Sequence, residues 1–182
     1  MKKLIYIIFD DFEEIESIVP IDLLRRAGAS VEVLTLNLSR ETRGRSNIKV
    51  LADNTLKAFS GDFDMLAISG GAGVFNAINN AEFLNLIAKA NLENKEIAAI
   101  CAAPIILKSV GLLDGKKCTG HTSIIDKLGA NYVDEPCVKD GNITTSQGAG
   151  TVFDFAFSLI NTLFGDAKSK EVAQSICYKG DI

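Results

Sequence analysis

Short apolar runs along the chain predict the strands of a buried sheet. β-branched, aromatic and other apolar residues dominate residues 4–9, 65–69 and 97–100, which is typical of strands covered on both faces. The alternating run at residues 30–36 and the short run at 48–51 predict two more strands. Further strands are predicted at residues 117–119, 137–139 and 142–146, the last two forming a hairpin across Asp140-Gly141.

Helical patterns lie between these strands. Asp11 followed by Glu14 predicts an acidic capping box, which opens a helix that ends at Ala27-Gly28. The polar, Arg-rich residues 37–47 predict a loop. Further helices are predicted at residues 72–79, 81–92, 104–110, 122–128, 153–164 and 168–176. Because strands alternate with helices, we predict an α/β fold with a mostly parallel sheet and helices on both faces. No repeat, low-complexity tract or linker interrupts the pattern, so one domain is predicted over residues 1–182.

Composition and charge narrow the class of protein. The net charge is −4 and the pI is near 5.1, which argues against binding to nucleic acid or to an anionic membrane. The longest apolar stretch, residues 97–107, contains Pro104 and is too short to cross a bilayer. The first residues lack the apolar length and cleavage site of a secretory signal, so we expect a cytoplasmic protein.

The cysteines and the histidine limit the possible metal sites. Cys101, Cys118, Cys137 and Cys177 lie far apart without a C-x-x-C pair, which indicates free thiols. His121 is the only histidine, so any mechanism or metal site that needs two histidines is excluded. We expect no metal and no cofactor.

Cys101 is the strongest candidate for a reactive residue. It ends a buried strand, small residues surround it in the run IAAI-C-AAP, and a helix follows. This is the arrangement of a nucleophile elbow, which exposes a side chain at the carboxyl end of a sheet, where open α/β proteins bind ligands. Backbone N–H groups at the start of the helix would stabilise a thiolate. The alternative is a core cysteine at the end of a buried strand.

Glu16 is the second candidate. The residues at i+3, i+4 and i+7 on its helix are Val19, Pro20 and Leu23, all apolar. A carboxyl on such a face is expected to be partly buried and protonated, and it can donate a hydrogen bond to a thiolate or shuttle a proton. The alternative is an exposed acid at the start of a helix, where it favours the helix dipole.

Two glycine-rich turns and the histidine are weaker signals. The run Gly70-Gly71-Ala72-Gly73 follows a strand and matches neither the Walker loop nor the G-x-G-x-x-G motif. Its N–H groups either point at an oxyanion or belong to a plain tight turn. Gly148-Ala149-Gly150, before a helix, is weaker still. His121, in the run CTGHT, is either catalytic or structural.

Together these segments resemble the ThiJ/PfpI superfamily, specifically its DJ-one branch, which includes the Parkinson-disease-associated protein deglycase and bacterial ThiJ-like proteins. The matching stretches are DDFEEIESIVPIDLLRRAG, AISGGAG, IAAICAAP, the Thr119-Gly120-His121 segment and DGNITTSQGAGTVFDFA. They occur in the family's order and cover nearly the whole chain. The resemblance implies a flavodoxin-like three-layer sandwich, similar to class I glutamine amidotransferases, that forms a homodimer partly through its first helix.

The resemblance also implies roles for individual residues. Cys101 would be the reactive cysteine, Glu16 the protonated acid beside it and His121 the nearby histidine. Backbone N–H groups of Gly71 and Ala102 would form the oxyanion pocket.

Departures from related patterns limit the chemistry. Ala102 stands where PfpI-type proteases place a histidine directly after the cysteine, and Thr122-Ser123 follows His121 where glutamine amidotransferases have His-x-Glu. Both departures argue against a protease-like triad. Ser46 stands about where relatives place an arginine, although Arg43 and Arg45 are close.

Two functions are consistent with this site. The resemblance implies a cysteine-dependent, cofactor-independent glyoxalase or protein deglycase, which acts on methylglyoxal-type α-oxoaldehydes or on glycated proteins. The alternative is an oxidative-stress sensor or redox-regulated chaperone that uses the same cysteine, because a reactive thiolate oxidises readily to sulfenic and sulfinic acids.

Overall fold

A seven-stranded sheet forms the centre of the protein in the computed structural model, which describes residues 1–180. The strands are β1 (Lys3–Ile8), β2 (Ser30–Thr35), β3 (Glu41–Arg43), β4 (Lys49–Leu51), β5 (Asn54–Thr55), β6 (Met65–Ile68), β7 (Glu96–Ile100), β8 (Cys137–Asp140) and β9 (Ile143–Ser146). The order across the sheet is β5-β2-β1-β6-β7-β9-β8, and all neighbours are parallel except β8 and β9. β3 and β4 form a separate antiparallel pair. The mostly parallel sheet that the sequence predicts is therefore present.

Helices cover both faces of this sheet. They are α1 (Glu14–Arg26), α2 (Val74–Ala77), α3 (Ala81–Leu92), α4 (Pro104–Ser109), α5 (Ile125–Leu128), α6 (Val152–Phe164) and α7 (Asp166–Ser175). α1 packs against α6, and α6 packs against α7. Within residues 1–180, no helix combines the length and the apolar character needed to cross a membrane.

The central strands are buried because helices cover the sheet on both sides. Every residue of β6 is buried, as are residues 97–100 of β7, which matches their uninterrupted apolar sequences. Tyr6, Phe12, Phe83 and Phe155 are the largest of the fully buried side chains. Dense packing of this kind makes the strand ends a rigid platform for a site.

Two local predictions are wrong. Residues 117–119 form no strand, and Cys118 makes one isolated bridge with Tyr132. The N–H groups of Lys117 and Thr119 donate to side chains of β8 and β9 instead of to the backbone of a neighbouring strand. Residues 37–47 are not all loop, since they contain β3, which finds its partner β4 on the other side of a short turn.

The capping-box prediction is also wrong. Glu13, in an extended conformation, precedes α1 and makes no capping hydrogen bond through its side chain. Asp11 has a φ of +62°, and its N–H donates to the carbonyl oxygen of Arg43 at 2.8 Å. Contacts with the β3–β4 pair therefore fix this segment, in place of the local cap that the sequence suggests.

Candidate active site

The crevice between β1 and β6 is the topological switch point of the sheet. β2 lies on one side of β1 and β6 on the other, so the connections after β1 and β6 diverge at their carboxyl ends. Open α/β sheets bind ligands in such a crevice. The two connecting segments meet there, because the N–H of Glu13 donates to the carbonyl oxygen of Gly70 at 3.1 Å. Cys101 follows β7, the neighbour of β6, and therefore lies at the same edge.

Cys101 occupies a strained turn between β7 and α4. Its φ is +65°, in the left-handed region that is costly for residues other than glycine. Its N–H donates to the carbonyl oxygen of Ser146 at 2.9 Å, and its own carbonyl oxygen accepts from the N–H of His121 at 2.8 Å. Contacts with two neighbouring segments thus hold the sharp turn that the sequence predicts, and the side chain is half-buried at the sheet edge.

Glu16 is almost completely buried beside Cys101. Its exposure is 2%, and its Oε2 atom has no hydrogen-bond partner. Burial raises the pKa of the Glu16 carboxyl to about 7, although interactions with the Cys101 thiol and the Ala149 backbone lower it. The carboxyl is therefore largely neutral below pH 7 and can exchange a proton near that pH.

Cys101 and Glu16 titrate as a pair. Loss of a first proton leaves one negative charge shared between the carboxyl and the thiol. Burial and then the charge of Glu16 raise the pKa of the Cys101 thiol to about 12, which makes loss of a second proton difficult. The sequence predicts a stabilised thiolate, but burial and the charge of Glu16 both favour the protonated thiol. At neutral pH the pair therefore holds between one and two protons.

Backbone N–H groups of Gly71 and Ala102 face the sulfur of Cys101. Their hydrogen bonds lower the pKa of the thiol, against the effect of burial. Gly71 has a φ of +102°, and a Cβ atom there would overlap the backbone of Asp11. At Gly70 a Cβ atom would overlap both the Glu16 carboxylate and the Cys101 side chain. Glycine is required at both positions so that the turn after β6 can approach the pair closely.

His121 lies in the same pocket, but no acid orients it. Its Nδ1 accepts a hydrogen bond from the backbone N–H of Ser123 at 3.2 Å and lies 2.9 Å from the Ser123 hydroxyl. A backbone N–H can only donate, so the Nδ1 atom carries no proton and the neutral ring carries its proton on Nε2. In this state His121 is a hydrogen-bond donor through Nε2, and it lacks the Nδ1–H···carboxylate arrangement of a protease triad.

The pocket at this edge has a volume of about 240 Å³. It brings together the five residues that the sequence and the resemblance single out: Glu16, Gly71, Cys101, Ala102 and His121. The remaining lining residues are Glu13, Arg45, Ala72, Phe75, Ser123 and Ala149. Sequence reasoning did not assign these six to the site, although it noted Arg45 as a nearby cation and Ser123 as the residue in place of an acid.

Arg45 provides the positive charge at the pocket. Its Nη1 lies 3.0 Å from Oε2 of Glu13, and its side chain is 62% exposed. Arg43, the other arginine near Ser46 in sequence, lies instead beside Asp10 and Asn47 on the β3–β4 pair. In the described part of the chain, no three histidine, cysteine or acidic side chains are grouped closely enough to hold a metal ion.

Comparisons with known proteins agree with this geometry. The model of the DJ-1/PfpI family matches residues 2–162. The chain belongs to this family. Protein dj-1beta of Drosophila melanogaster is 36% identical over 180 residues, which cover 96% of this chain and 96% of that protein. A glutathione-independent glyoxalase of Caenorhabditis elegans, DJR-1.2, is 31% identical over 173 residues, or 92% of this chain and 91% of that one.

Solved structures of DJ-1 proteins share the same fold. The structure of oxidized DJ-1 from Toxoplasma gondii matches with a TM-score of 0.95 and 30% sequence identity. The match covers 99% of this chain and 100% of the Toxoplasma gondii chain. The flavodoxin-like sandwich that the resemblance implies is therefore confirmed. Because the family includes a glyoxalase, the Cys101 site is a candidate for aldehyde chemistry.

Proposed function

We propose that this protein is a cysteine-dependent, cofactor-independent glyoxalase that acts on methylglyoxal-type α-oxoaldehydes. The observation that carries the proposal is the buried Glu16 carboxyl beside Cys101, with a pKa raised to about 7. A glyoxalase needs a nucleophile and a group that both takes and returns a proton near neutral pH, and Glu16 meets the second requirement. The glyoxalase of Caenorhabditis elegans is a relative along nearly the whole chain.

The reaction proceeds through a covalent intermediate on Cys101. The sulfur adds to the aldehyde carbon, and the thiol proton passes by way of Glu16 to the aldehyde oxygen, which gives a hemithioacetal. The Glu16 carboxylate then removes the proton from the carbon that bears sulfur and returns it to the neighbouring carbon, while the hydroxyl proton of the hemithioacetal moves to the ketone oxygen. The first carbon is thereby oxidised to a thioester while the second is reduced to an alcohol.

Hydrolysis completes the cycle without an external oxidant or reductant. Water attacks the thioester, releases a 2-hydroxy acid and restores the thiol, so methylglyoxal yields lactate and glyoxal yields glycolate. Because oxidation and reduction occur within one substrate molecule, no cofactor is required. Removal of free aldehyde also reverses early adducts on glycated proteins, which would appear as deglycase activity.

The other residues of the pocket stabilise charge and orient the substrate. The N–H groups of Gly71 and Ala102 face the sulfur and are placed to stabilise the oxyanion that forms when it attacks. His121 donates from Nε2 to a substrate oxygen. It cannot act as the general base in that tautomer, so we expect His121→Ala to cost less activity than loss of Cys101 or Glu16.

Formation of lactate from methylglyoxal in the absence of glutathione tests the proposal. We expect the wild type and the Cys137→Ser control to produce it and Cys101→Ala to produce none. Cys137 is a matched control because it is also half-buried but lies on β8. Absence of lactate from the wild type would exclude the glyoxalase function.

Oxidative sensing is the second function that this site supports. The N–H groups of Gly71 and Ala102 and the Glu16 carboxyl surround the sulfur, and all three can donate hydrogen bonds to sulfinate oxygens. The Toxoplasma gondii relative was solved in an oxidized form. If this function dominates, peroxide converts Cys101 to a sulfinate while methylglyoxal is not consumed. A redox-regulated chaperone would use the same oxidation.

We also propose that the protein forms a homodimer through α1. Ile15 and Ile18 are 50% and 45% exposed there, and Ile48 beside them is 56% exposed. The N–H of Ile48 lies 3.4 Å from Oε1 of Glu14, so the Ile48 segment lies next to the start of α1 and can extend the apolar surface of that helix. This surface lies in the first half of α1, whereas Pro20, Ile21, Leu23 and Leu24, farther along the helix, are buried within the chain. The cytoplasmic location stays a prediction.

A further inference from the structure

Phe75 is the single aromatic side chain among the residues that line the Cys101 pocket, and the proposed reaction makes no use of it. It lies on α2, directly after the glycine turn that approaches Cys101, and it is 47% exposed. A half-exposed phenyl ring in a pocket can pack against a bound molecule, which would remove apolar surface of both from water.

Lys127 holds the ring in place. Its Nζ lies 4.7 Å from the centre of the Phe75 ring, which is the geometry of a cation–π interaction. Lys127 is on α5 and is not one of the pocket-lining residues. The contact therefore fixes the ring from outside the pocket and connects α2 to the segment that carries His121 and Ser123.

Among the other lining residues the apolar side chains are small. Ala72, Ala102 and Ala149 contribute methyl groups, while Glu13, Glu16 and Arg45 contribute charge. The volume of about 240 Å³ is many times the roughly 10–15 Å³ that a cavity needs in order to hold one water. Methylglyoxal, a three-carbon dicarbonyl, would leave much of this volume unfilled and offers only a methyl group to the part of Phe75 that lines the pocket.

We infer that Phe75 determines the substrate class by packing against the substituent of the α-oxoaldehyde, and that aryl-substituted α-oxoaldehydes are preferred over methylglyoxal. The inference rests on the proposed glyoxalase function. The chemistry is unchanged: phenylglyoxal and water give mandelate, with the aldehyde carbon oxidised and the ketone carbon reduced. Two aromatic rings in an offset or edge-to-face arrangement gain more than area burial alone, which is the source of the preference.

Steady-state kinetics with phenylglyoxal and methylglyoxal test the preference. We expect a higher kcat/KM for phenylglyoxal in the wild type, and a fall of about tenfold in the ratio of the two kcat/KM values in Phe75→Ala. Lys127→Met, which keeps the aliphatic chain but removes the cation, is expected to lower the ratio about twofold to fivefold. Phe59→Leu is the matched control, because Phe59 lies near the opposite end of β1 beside Lys3, and it should leave the ratio unchanged.

A binding measurement separates this inference from the glyoxalase proposal. Mandelate and lactate are the unreactive products, and each can protect Cys101 from alkylation by iodoacetamide. The exposed Cys177 is replaced by serine so that it does not compete for the reagent. We expect mandelate to protect at about tenfold lower concentration than lactate, and Phe75→Ala to remove this difference.

The outcomes distinguish the two proposals. If neither aldehyde is consumed but mandelate protects through Phe75, the glyoxalase function is wrong and the aryl-binding role of Phe75 stands. If methylglyoxal is consumed but mandelate protects no better than lactate, the role of Phe75 is wrong and the glyoxalase function stands. The same conclusion follows if Phe75→Ala lowers both kcat/KM values equally. An unchanged circular dichroism spectrum and an unchanged urea midpoint in Phe75→Ala would show that the variant is folded.

Discussion

The hydroxyl of Tyr6 donates a hydrogen bond to the backbone carbonyl oxygen of Glu16 at 2.5 Å. In a regular helix this carbonyl would accept from the N–H of residue 20, but Pro20 has none. Tyr6 is fully buried in β1, and burial raises the pKa of its hydroxyl well above the ordinary value, so it remains a donor. The central strand thus fixes the backbone of the residue that carries the proton.

Loss of this hydrogen bond should weaken both the fold and the reaction. Tyr6→Phe leaves the Glu16 carbonyl buried and unpaired, which we expect to lower the free energy of unfolding by about 1–3 kcal/mol. Because Glu16 is then held less firmly, kcat for methylglyoxal should fall more than KM changes. Tyr132→Phe, which removes a half-buried hydroxyl from Asp134, is the control and should change the free energy of unfolding by about 0.5 kcal/mol or less. Equal effects of the two variants would exclude the positioning role of Tyr6.

Glu16→Gln should separate nucleophilicity from turnover. The amide keeps the shape of the side chain but cannot exchange a proton, so turnover of methylglyoxal should fall about 10²–10⁴-fold. The charge of Glu16 raises the pKa of the Cys101 thiol, so its removal should make alkylation of Cys101 by iodoacetamide faster at pH 7–8. Peptide mass spectrometry measures the alkylation. A variant with wild-type turnover would contradict the proton-transfer role.

The rate should depend on pH through the first proton of the Cys101–Glu16 pair. With the pKa of Glu16 at about 7, we expect kcat/KM for methylglyoxal to rise with pH up to about 7 and then to level off. The pKa of the thiol at about 12 leaves the plateau intact to at least pH 9. A decline between pH 7 and 9 would show that a different group limits the rate.

Stability should depend on pH through the same carboxyl, with a definite sign. Glu16 binds its proton more tightly when folded, since its pKa rises from 4.5 to about 7. Its stabilising effect is fully present below pH 4.5 and is lost as the pH rises to about 7. Compared with Glu16→Gln, the wild type should therefore lose up to about 3 kcal/mol of unfolding free energy across this range. Urea titrations of both proteins at several pH values measure the difference. The same change of unfolding free energy with pH in the two proteins would contradict the prediction.

The apolar surface on α1 should hold two copies together. The wild type is expected to sediment at about twice its chain mass of 19.5 kDa. Ile18→Glu places a charge in that surface and should give a monomer, because an unpaired charge at a buried interface is costly. Leu92→Glu, at an 82% exposed position on α3, should remain a dimer. A wild type that is monomeric at micromolar concentration would contradict the homodimer.

Cys101 and Glu16 could be selected as candidates from the sequence alone, because local pattern singles out both positions. Cys101 ends an uninterrupted apolar strand among small residues, and Glu16 has apolar neighbours along its helix. The pattern did not reveal Glu14, which is also buried at 6% exposure. Glu14 is buried because the segment with Gly44 and Ser46 folds over it, and the N–H of Ser46 donates to it at 2.8 Å. Contacts between distant segments leave no periodic signal in a single sequence.

The pocket walls were missed for the same reason. Arg45 and Phe75 come from segments far from Cys101 in sequence and meet it only when the sheet is complete. Ser123 was accessible in principle, because its contact with His121 spans two residues. Only an acid was expected to orient His121, so Ser123 was not predicted. In the structure the backbone N–H and the hydroxyl of Ser123 orient the imidazole ring.

The distribution of the site along the chain determines when it can form. Glu16, Gly71, Cys101 and Ala149 follow four different strands, β1, β6, β7 and β9, that are adjacent in the sheet but distant in sequence. A nascent chain therefore has no assembled pocket until its last third has left the ribosome. Cys101 is made before the segments that carry His121 and Ala149, so during synthesis the pocket around it is incomplete. The environment that sets its pKa is a property of the finished sheet, so the rate of Cys101 alkylation can report on completion of folding.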